Sequence, residues 1–242
     1  LEWVRAGYAV DVVALRDTPV FYPDELPASV GRIRIRYRHR LANVLALAYY
    51  LVRRRPAALL CVRHLPNLIS VRAARLARAL GRATRVYVSV PNNVTSAERP
   101  KSRRGPERKK REIRRQYARA DGVIALDRGV GDDLVDNVGL APDHVHVLHN
   151  PAVTDATFAS AECEAAHPWF APERSVPVVL AVGRLARQKG FDILLEAFAR
   201  LRSRRACRLV ILGEGGELAR LEHAVERLDL AADVDLAGFV RN

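Results

Sequence analysis

The stretch VPVVLAVGRLARQKGFDILLEAFARL, residues 176–201, decides the fold class. It opens as a continuous apolar, β-branched run, the pattern of a strand buried on both faces. It closes with Phe191, Leu194, Leu195, Phe198 and Leu201 spaced to share one helical face. Between them, VGRLARQKGFD gathers two glycines, two arginines and a lysine. Such a loop lies at the carboxyl end of a parallel strand, the edge where open α/β sheets bind ligands. Gly183 and Gly190 allow a tight turn and close backbone approach. Free N–H groups at the helix start favour an anion, with Asp192 placed to cap that end. Arg184 and Lys189 add two full positive charges, and the sum fits a diphosphate. The simpler alternative is an ordinary strand–turn–helix with solvated basic residues.

The same grammar recurs along the chain. RLVILG (208–213) feeds GEGGELARLEHAVERL, where Gly213, Gly215 and Gly216 precede a helix with Leu218, Leu221, Val225 and Leu228 inward. Further strand-like runs are AVDVVAL (9–15), AALLCV (57–62), RVYVSV (85–90), GVIAL (122–126), HVHVLH (144–149) and VDLAGF (234–239). NLISVRAARLARAL (67–80) reads as a helix closed by Gly81. Strands alternating with helices give an α/β class with parallel sheets. GRIRIRYRHR (31–40) alternates arginine with Ile33, Ile35 and Tyr37, so it reads as a strand with one basic face, either a solubilised sheet edge or a functional surface. Residues 150–176 have no sustained period and mark a boundary. The simplest architecture is two Rossmann-like units, 1–150 and 151–242, with a cleft between them.

Charge separates the halves. Residues 1–150 hold 28 Lys/Arg against 14 Asp/Glu, whereas residues 151–242 hold 12 against 13. The basic half therefore faces something anionic: a membrane surface, a phosphorylated acceptor or nucleic acid. Nucleic acid is disfavoured, because aromatics make up only 6% of the chain and do not interleave with the charge. RPKSRRGPERKKREIRR (99–115) concentrates ten basic residues against two glutamates. It reads either as a flexible solvated loop running into a helix, or as a contact with anionic lipid or acceptor through Arg103, Arg104, Arg108, Lys109, Lys110 and Arg111. The three cysteines, Cys61, Cys163 and Cys207, have no paired spacing and read as inert thiols in a reducing compartment. The longest nearly apolar stretch, LANVLALAYYLV (41–52), is too short to span a bilayer.

VGRLARQKGFDILLEAFARL, LVILGEGGELARLE and VDLAGFV together resemble the donor-binding half of glycosyltransferase family 4, the retaining group 1 glycosyltransferases of GT-B fold. YARADGVIALDRGVGDDLVDNVGLAPDHVHVLHNP (117–151) is similar to that family's last N-domain segment and crossover, with Asn150-Pro151 at the Asn-Pro position. The resemblance extends over essentially the whole chain and is strongest from residue 117 onward.

The resemblance implies transfer of a sugar from a nucleotide-diphosphate donor with retention of configuration, with no metal and no cofactor. It gives Arg184 and Lys189 the catalytic role of gripping the diphosphate, places Gly183, Gly190, Gly213 and Gly215 at the donor, and puts Gly238 and Val240 near the base. Many members carry a histidine after the strand matching RVYVSV; here SVPNN follows, and His64 is the candidate substitute near the cleft. The family's first strand with its glycine-rich loop, and its paired glutamates seven residues apart, are not found, so the chain reads as a fragment lacking both termini and an impaired catalyst. The expected setting is cytoplasmic, peripheral on the inner face of the plasma membrane, in cell-envelope glycan or glycolipid synthesis. A nucleotide-sugar epimerase or phosphorylase of the same layout is the alternative, with a basic nucleic-acid-binding protein behind it.

Overall fold

The computed structural model describes residues 2–15, 26–95, 104–150, 153, 155–162, 167–171 and 176–240. They fall into two compact units, Leu1–Asn150 and Pro151–Asn242. The first begins with a short helix α1 (Glu2–Arg5), then β1 (Asp11–Leu15) and β2 (Gly31–Ile35), paired in parallel from Asp11↔Gly31 to Leu15↔Ile35. Next come α2 (Arg40–Arg54), β3 (Ala58–Val62), α3 (His64–Ala79), β4 (Arg85–Val90), α4 (Arg104–Tyr117), β5 (Gly122–Ala125), α5 (Arg128–Asp132) and β6 (Val145–Val147). Strands β3 to β6 form a four-stranded parallel sheet in chain order. Parallel neighbours need a crossover, and the intervening helices supply it.

Sequence explains these elements locally. In α2, Val44, Leu47, Ala48 and Leu51 lie on one buried stripe. Helix α3 ends on Gly81 at φ 72°, whose N–H donates to the Arg78 carbonyl while Arg82 N–H donates to the Ala77 carbonyl. That pairing satisfies carbonyls the helix end would otherwise leave open. Asp127 caps α5 by accepting from Val130 N–H at 2.8 Å. The core joins Leu47 and Leu51 of α2, Val71 and Ala77 of α3, and Ile113 and Tyr117 of α4 to Val86, Val88 and Val123 of the sheet.

The second unit contains α6 (Asp155–Ala161), β7 (Val178–Val182), α7 (Phe191–Arg202), β8 (Arg208–Leu212), α8 (Leu218–Arg227) and β9 (Val234–Gly238). Its sheet runs β7-β8-β9, all parallel. Leu195 and Phe198 of α7 and Leu221 of α8 bury against Leu209 and Ile211, each worth about 1.5–3 kcal/mol. His167 Nε2 lies 2.8 Å from an Asp235 carboxylate oxygen, and the Arg208 guanidinium stacks 4.8 Å over Trp169, tying the 167–171 segment to this sheet.

Several expectations are corrected. Strand β7 is not buried on both faces among the described residues: Val179, Leu180 and Val182 are exposed. In β3, Leu60 and Val62 are exposed as well. The basic face of residues 31–40 belongs to a strand only as far as Ile35, and Arg40 already opens α2. From Arg104 onward the basic run is helix rather than loop, because Ile113, Gln116 and Tyr117 supply an inward row. No described helix is long and apolar enough to cross a membrane. Cys61 and Cys207 are buried free thiols, while Cys163 lies outside the described residues.

Candidate active site

Three loops meet at the carboxyl ends of β7, β8 and β9. Gly183 N–H donates to the Leu212 carbonyl at 2.9 Å, Leu185 N–H to Glu214 at 2.9 Å, and Glu217 N–H back to Leu185 at 3.1 Å. Gly213 N–H donates to the Gly238 carbonyl at 2.7 Å. Leu185, 1% exposed, pins the first loop into the core. The glycines are required by this lacing. A Cβ on Gly213 would stand 2.0 Å from the Gly183 carbonyl oxygen, and one on Gly215 2.2 Å from that of Leu185. Both contacts are with backbone, which cannot swing aside.

Past Leu185 the chain makes one tight turn, Arg187–Lys189, closed by Lys189 N–H to the Ala186 carbonyl at 2.8 Å. Gly190 follows at φ 67° and starts α7. The turn folds Lys189 back over the strand end, so that its Cε lies 3.6 Å from where a Cβ on Gly183 would be. Arg184, Arg187 and Lys189 are exposed and have no carboxylate partner among the described residues. The N–H groups of Glu214, Gly215 and Gly216, and those of Phe191 and Asp192 at the start of α7, donate to nothing among the described residues. Arg184 and Lys189, two of these three unpaired cations, beside a set of open amides suit a polyphosphate.

Asp192 does not cap α7. One carboxylate oxygen accepts from the adjacent Ile193 N–H and the other pairs with Arg220 of α8 at 3.2 Å. Arg220 bridges on to Glu217 at 2.9 Å, which draws acidic charge away from the open loop amides. Gly238 sits at φ 76° with nothing among the described residues within 4 Å of where a Cβ would stand, and Val240 is exposed two residues on.

The remaining candidates belong to the first unit. His64 is the first residue of α3, not a loop residue; it follows Arg63, which holds φ 80° without being glycine. Its Nδ1 lies 3.4 Å from the Tyr117 hydroxyl, which also accepts from Asn67 Nδ2 at 3.1 Å. Burial, then Lys109 and Arg40, hold the imidazole below the ordinary histidine range, against Glu112. Burial pushes the Tyr117 phenol up to about 12. The His64 ring is thus half-buried and turned toward Tyr117 at the end of α4. Asn150 is exposed at the end of the unit. Of the basic residues, Arg104 opens α4, Arg108 and Arg111 are exposed on it, Lys109 and Lys110 are half-buried, and Arg103 lies outside the described residues.

Sequence reasoning passed over Asp133. Its buried carboxylate accepts from Val94 N–H at 2.6 Å, Thr95 N–H at 3.2 Å, Asn137 Nδ2 at 3.0 Å and the Thr95 hydroxyl. It thereby fixes the loop after β4 to a π-helical turn, Asp133–Asn137. The only local sign was a paired Asp132-Asp133 within an apolar stretch.

Residues 1–156 match the model of Glycosyltransferase Family 4, and residues 168–242 that of Glycosyl transferases group 1. The chain belongs to glycosyltransferase family 4. Among curated relatives, a Campylobacter jejuni N-acetylgalactosamine-N,N'-diacetylbacillosaminyl-diphospho-undecaprenol 4-alpha-N-acetylgalactosaminyltransferase is 32% identical over 127 residues, 52% of this chain and 32% of that protein. Mannosylfructose-phosphate synthase of Agrobacterium fabrum is 32% identical over 136 residues, 51% of this chain and 29% of that protein. The matched stretches thus span about a third of these relatives. A Rickettsia africae glycosyltransferase structure superposes with TM-score 0.68 at 15% identity, covering 99% of this chain and 62% of that one. Anabaena HepE in complex with UDP-glucose superposes with TM-score 0.65 at 16% identity, covering 88% and 56%. These likenesses establish a GT-B-type α/β fold with parallel sheets.

Proposed function

We propose that this family 4 chain binds a nucleotide-diphosphate sugar at the carboxyl edge of β7-β8-β9 and serves a retaining glycosyl transfer. The observation that carries the reading is Lys189 folded over Gly183 beside an unpaired Arg184. Arg184 and Lys189 grip the diphosphate, and the open amides of Gly215 and Gly216 add neutral donors. As the glycosidic bond lengthens, negative charge grows on the departing phosphate oxygen. Cations already fixed there stabilise the transition state more than the ground state, which is where rate comes from. Gly190 lets the turn close, Gly213 and Gly215 let the second loop approach, and Gly238 and Val240 border the base. Solved HepE complexes with UDP and UDP-glucose support a uridine nucleotide as the first donor to try.

The acceptor side belongs to residues 1–150, where the positive charge is gathered. The diphospho-undecaprenol acceptor named for the Campylobacter relative supports a lipid-linked acceptor. Calorimetric titration with UDP, GDP, UMP and inorganic diphosphate tests the donor reading. Binding that requires the diphosphate and gains from the base supports it; equal binding of UMP and UDP contradicts it.

A further inference from the structure

The outward face of α2 and α3 is apolar where a water-facing surface is ordinarily polar. Leu41, Leu45 and Tyr49 recur every fourth residue along α2 and are 67%, 54% and 67% exposed; Leu76 of α3 and Leu80, the residue that follows its last turn, are 41% and 67% exposed. Residues four apart stand above one another on a helix, so each set forms a row. The rows are not spare core, because both helices already bury a separate inward stripe of Leu47, Leu51, Val71 and Ala77. Leu41, Val44, Leu76 and Ala79 share a groove of about 600 Å³ between the two helices, rimmed by Arg40, Arg72 and Arg75. A contiguous apolar patch edged by charge marks an interaction site.

Charge identifies the occupant. From Leu26 to Ala97 the sequence has fourteen arginines and not one aspartate or glutamate. Arg40 and Arg75 have no carboxylate partner among the described residues, while Arg72 reaches Glu112 of α4 at 3.4 Å and so links this face to the basic helix. Aliphatic rows flanked by arginines, with a tyrosine among them, match the boundary between acyl chains and phosphate headgroups. Nucleic acid would call for stacking aromatics, and the rows are aliphatic apart from Tyr49. A second copy would set arginine against arginine.

We infer that the α2–α3 face docks on an anionic phospholipid bilayer. Leu41, Leu45, Tyr49, Leu76 and Leu80 enter the interface, and Arg40 and Arg75 meet headgroup phosphates. This moves the contact from the basic run of α4, which sequence alone had singled out, to a neighbouring surface; it is independent of the donor clamp.

Flotation of the 242-residue chain with phosphatidylcholine vesicles, with and without an admixture of anionic phosphatidylglycerol, tests it. The chain floats with the anionic vesicles and stays down with the neutral ones. Leu45→Asn with Tyr49→Ser lowers partitioning at least about tenfold, and Arg40→Gln with Arg75→Gln about thirtyfold. Both pairs keep the parent circular dichroism and UDP titration, since all four side chains are exposed or on the groove rim. Four results overturn the inference: no flotation with anionic vesicles; partitioning that ignores α2 but is lost on Arg108→Gln with Arg111→Gln; a concentration-dependent dimer that Leu45→Asn with Tyr49→Ser dissolves; or duplex DNA binding with no vesicle binding.

Discussion

The side chain of Lys189 lies across Gly183, its Cε 3.6 Å from the position a Cβ would take there. The contact is an ordinary van der Waals distance, so a methyl group fits beneath the lysine. Gly213 is different, because its missing Cβ would meet the Gly183 carbonyl oxygen at 2.0 Å at a φ of 142°. Gly183→Ala is expected to keep its Tm within about 2 °C, whereas Gly213→Ala loses about 5 °C or more by forcing backbone apart. Differential scanning calorimetry of the two variants reads the contrast; equal shifts would remove the close approach from the account.

Acid stability depends on Asp133. Four donors hold its carboxyl below the usual carboxylate range, outweighing the opposing effect of burial. An unfolded aspartate titrates near about 3.9. The stabilisation is therefore complete above that value and is lost as pH falls from about 4 toward the lower folded pKa. Asp133→Ala is expected to cost about 2–3 kcal/mol at neutral pH and to flatten the acid limb of a urea-midpoint profile. A parent-like limb in the variant would contradict this.

His64 acts in the same direction, in a higher pH window. Its folded pKa lies below the ordinary value, so protons favour the unfolded chain. Stability is full above about pH 7 and declines as pH falls below about 6.5. His64→Gln is expected to lessen the slope of unfolding midpoint between about pH 7 and 5, with Asn67 and Tyr117 still paired. An unchanged slope would show that the ring is not held neutral by burial and by Lys109.

Much of the fold was legible because buried parallel strands are written as short apolar runs. RVYVSV is β4 residue for residue, and the runs around β3, β5, β7, β8 and β9 are each trimmed by one to three residues. The turn ending α3 was equally plain, since Gly81 takes the left-handed conformation that favours glycine. Helix α4 was only partly legible: arginine and lysine dominate it, and Ile113, Gln116 and Tyr117 leave little apolar period to read. Asp133 was illegible for another reason. Its partners Val94 and Thr95 lie 39 and 38 residues earlier, and no local pattern records a contact made only in three dimensions. Strand β7 shows the limit of periodicity, which reports an apolar strand without saying what covers it. In the candidate site the loop chemistry was legible, but the diversion of Asp192 to Arg220 depended on how α7 and α8 pack.

The central claim is that Arg184 and Lys189 bind a nucleoside diphosphate, and isothermal titration of UDP into the chain and into Arg184→Ala and Lys189→Ala tests it most directly. Each substitution removes a charge-assisted contact worth about 1.5–3 kcal/mol, so affinity is expected to fall about ten- to hundredfold, and Arg187→Ala, whose exposed side chain lacks such a role, changes it less than about threefold. UDP binding that survives both substitutions unchanged would contradict the account.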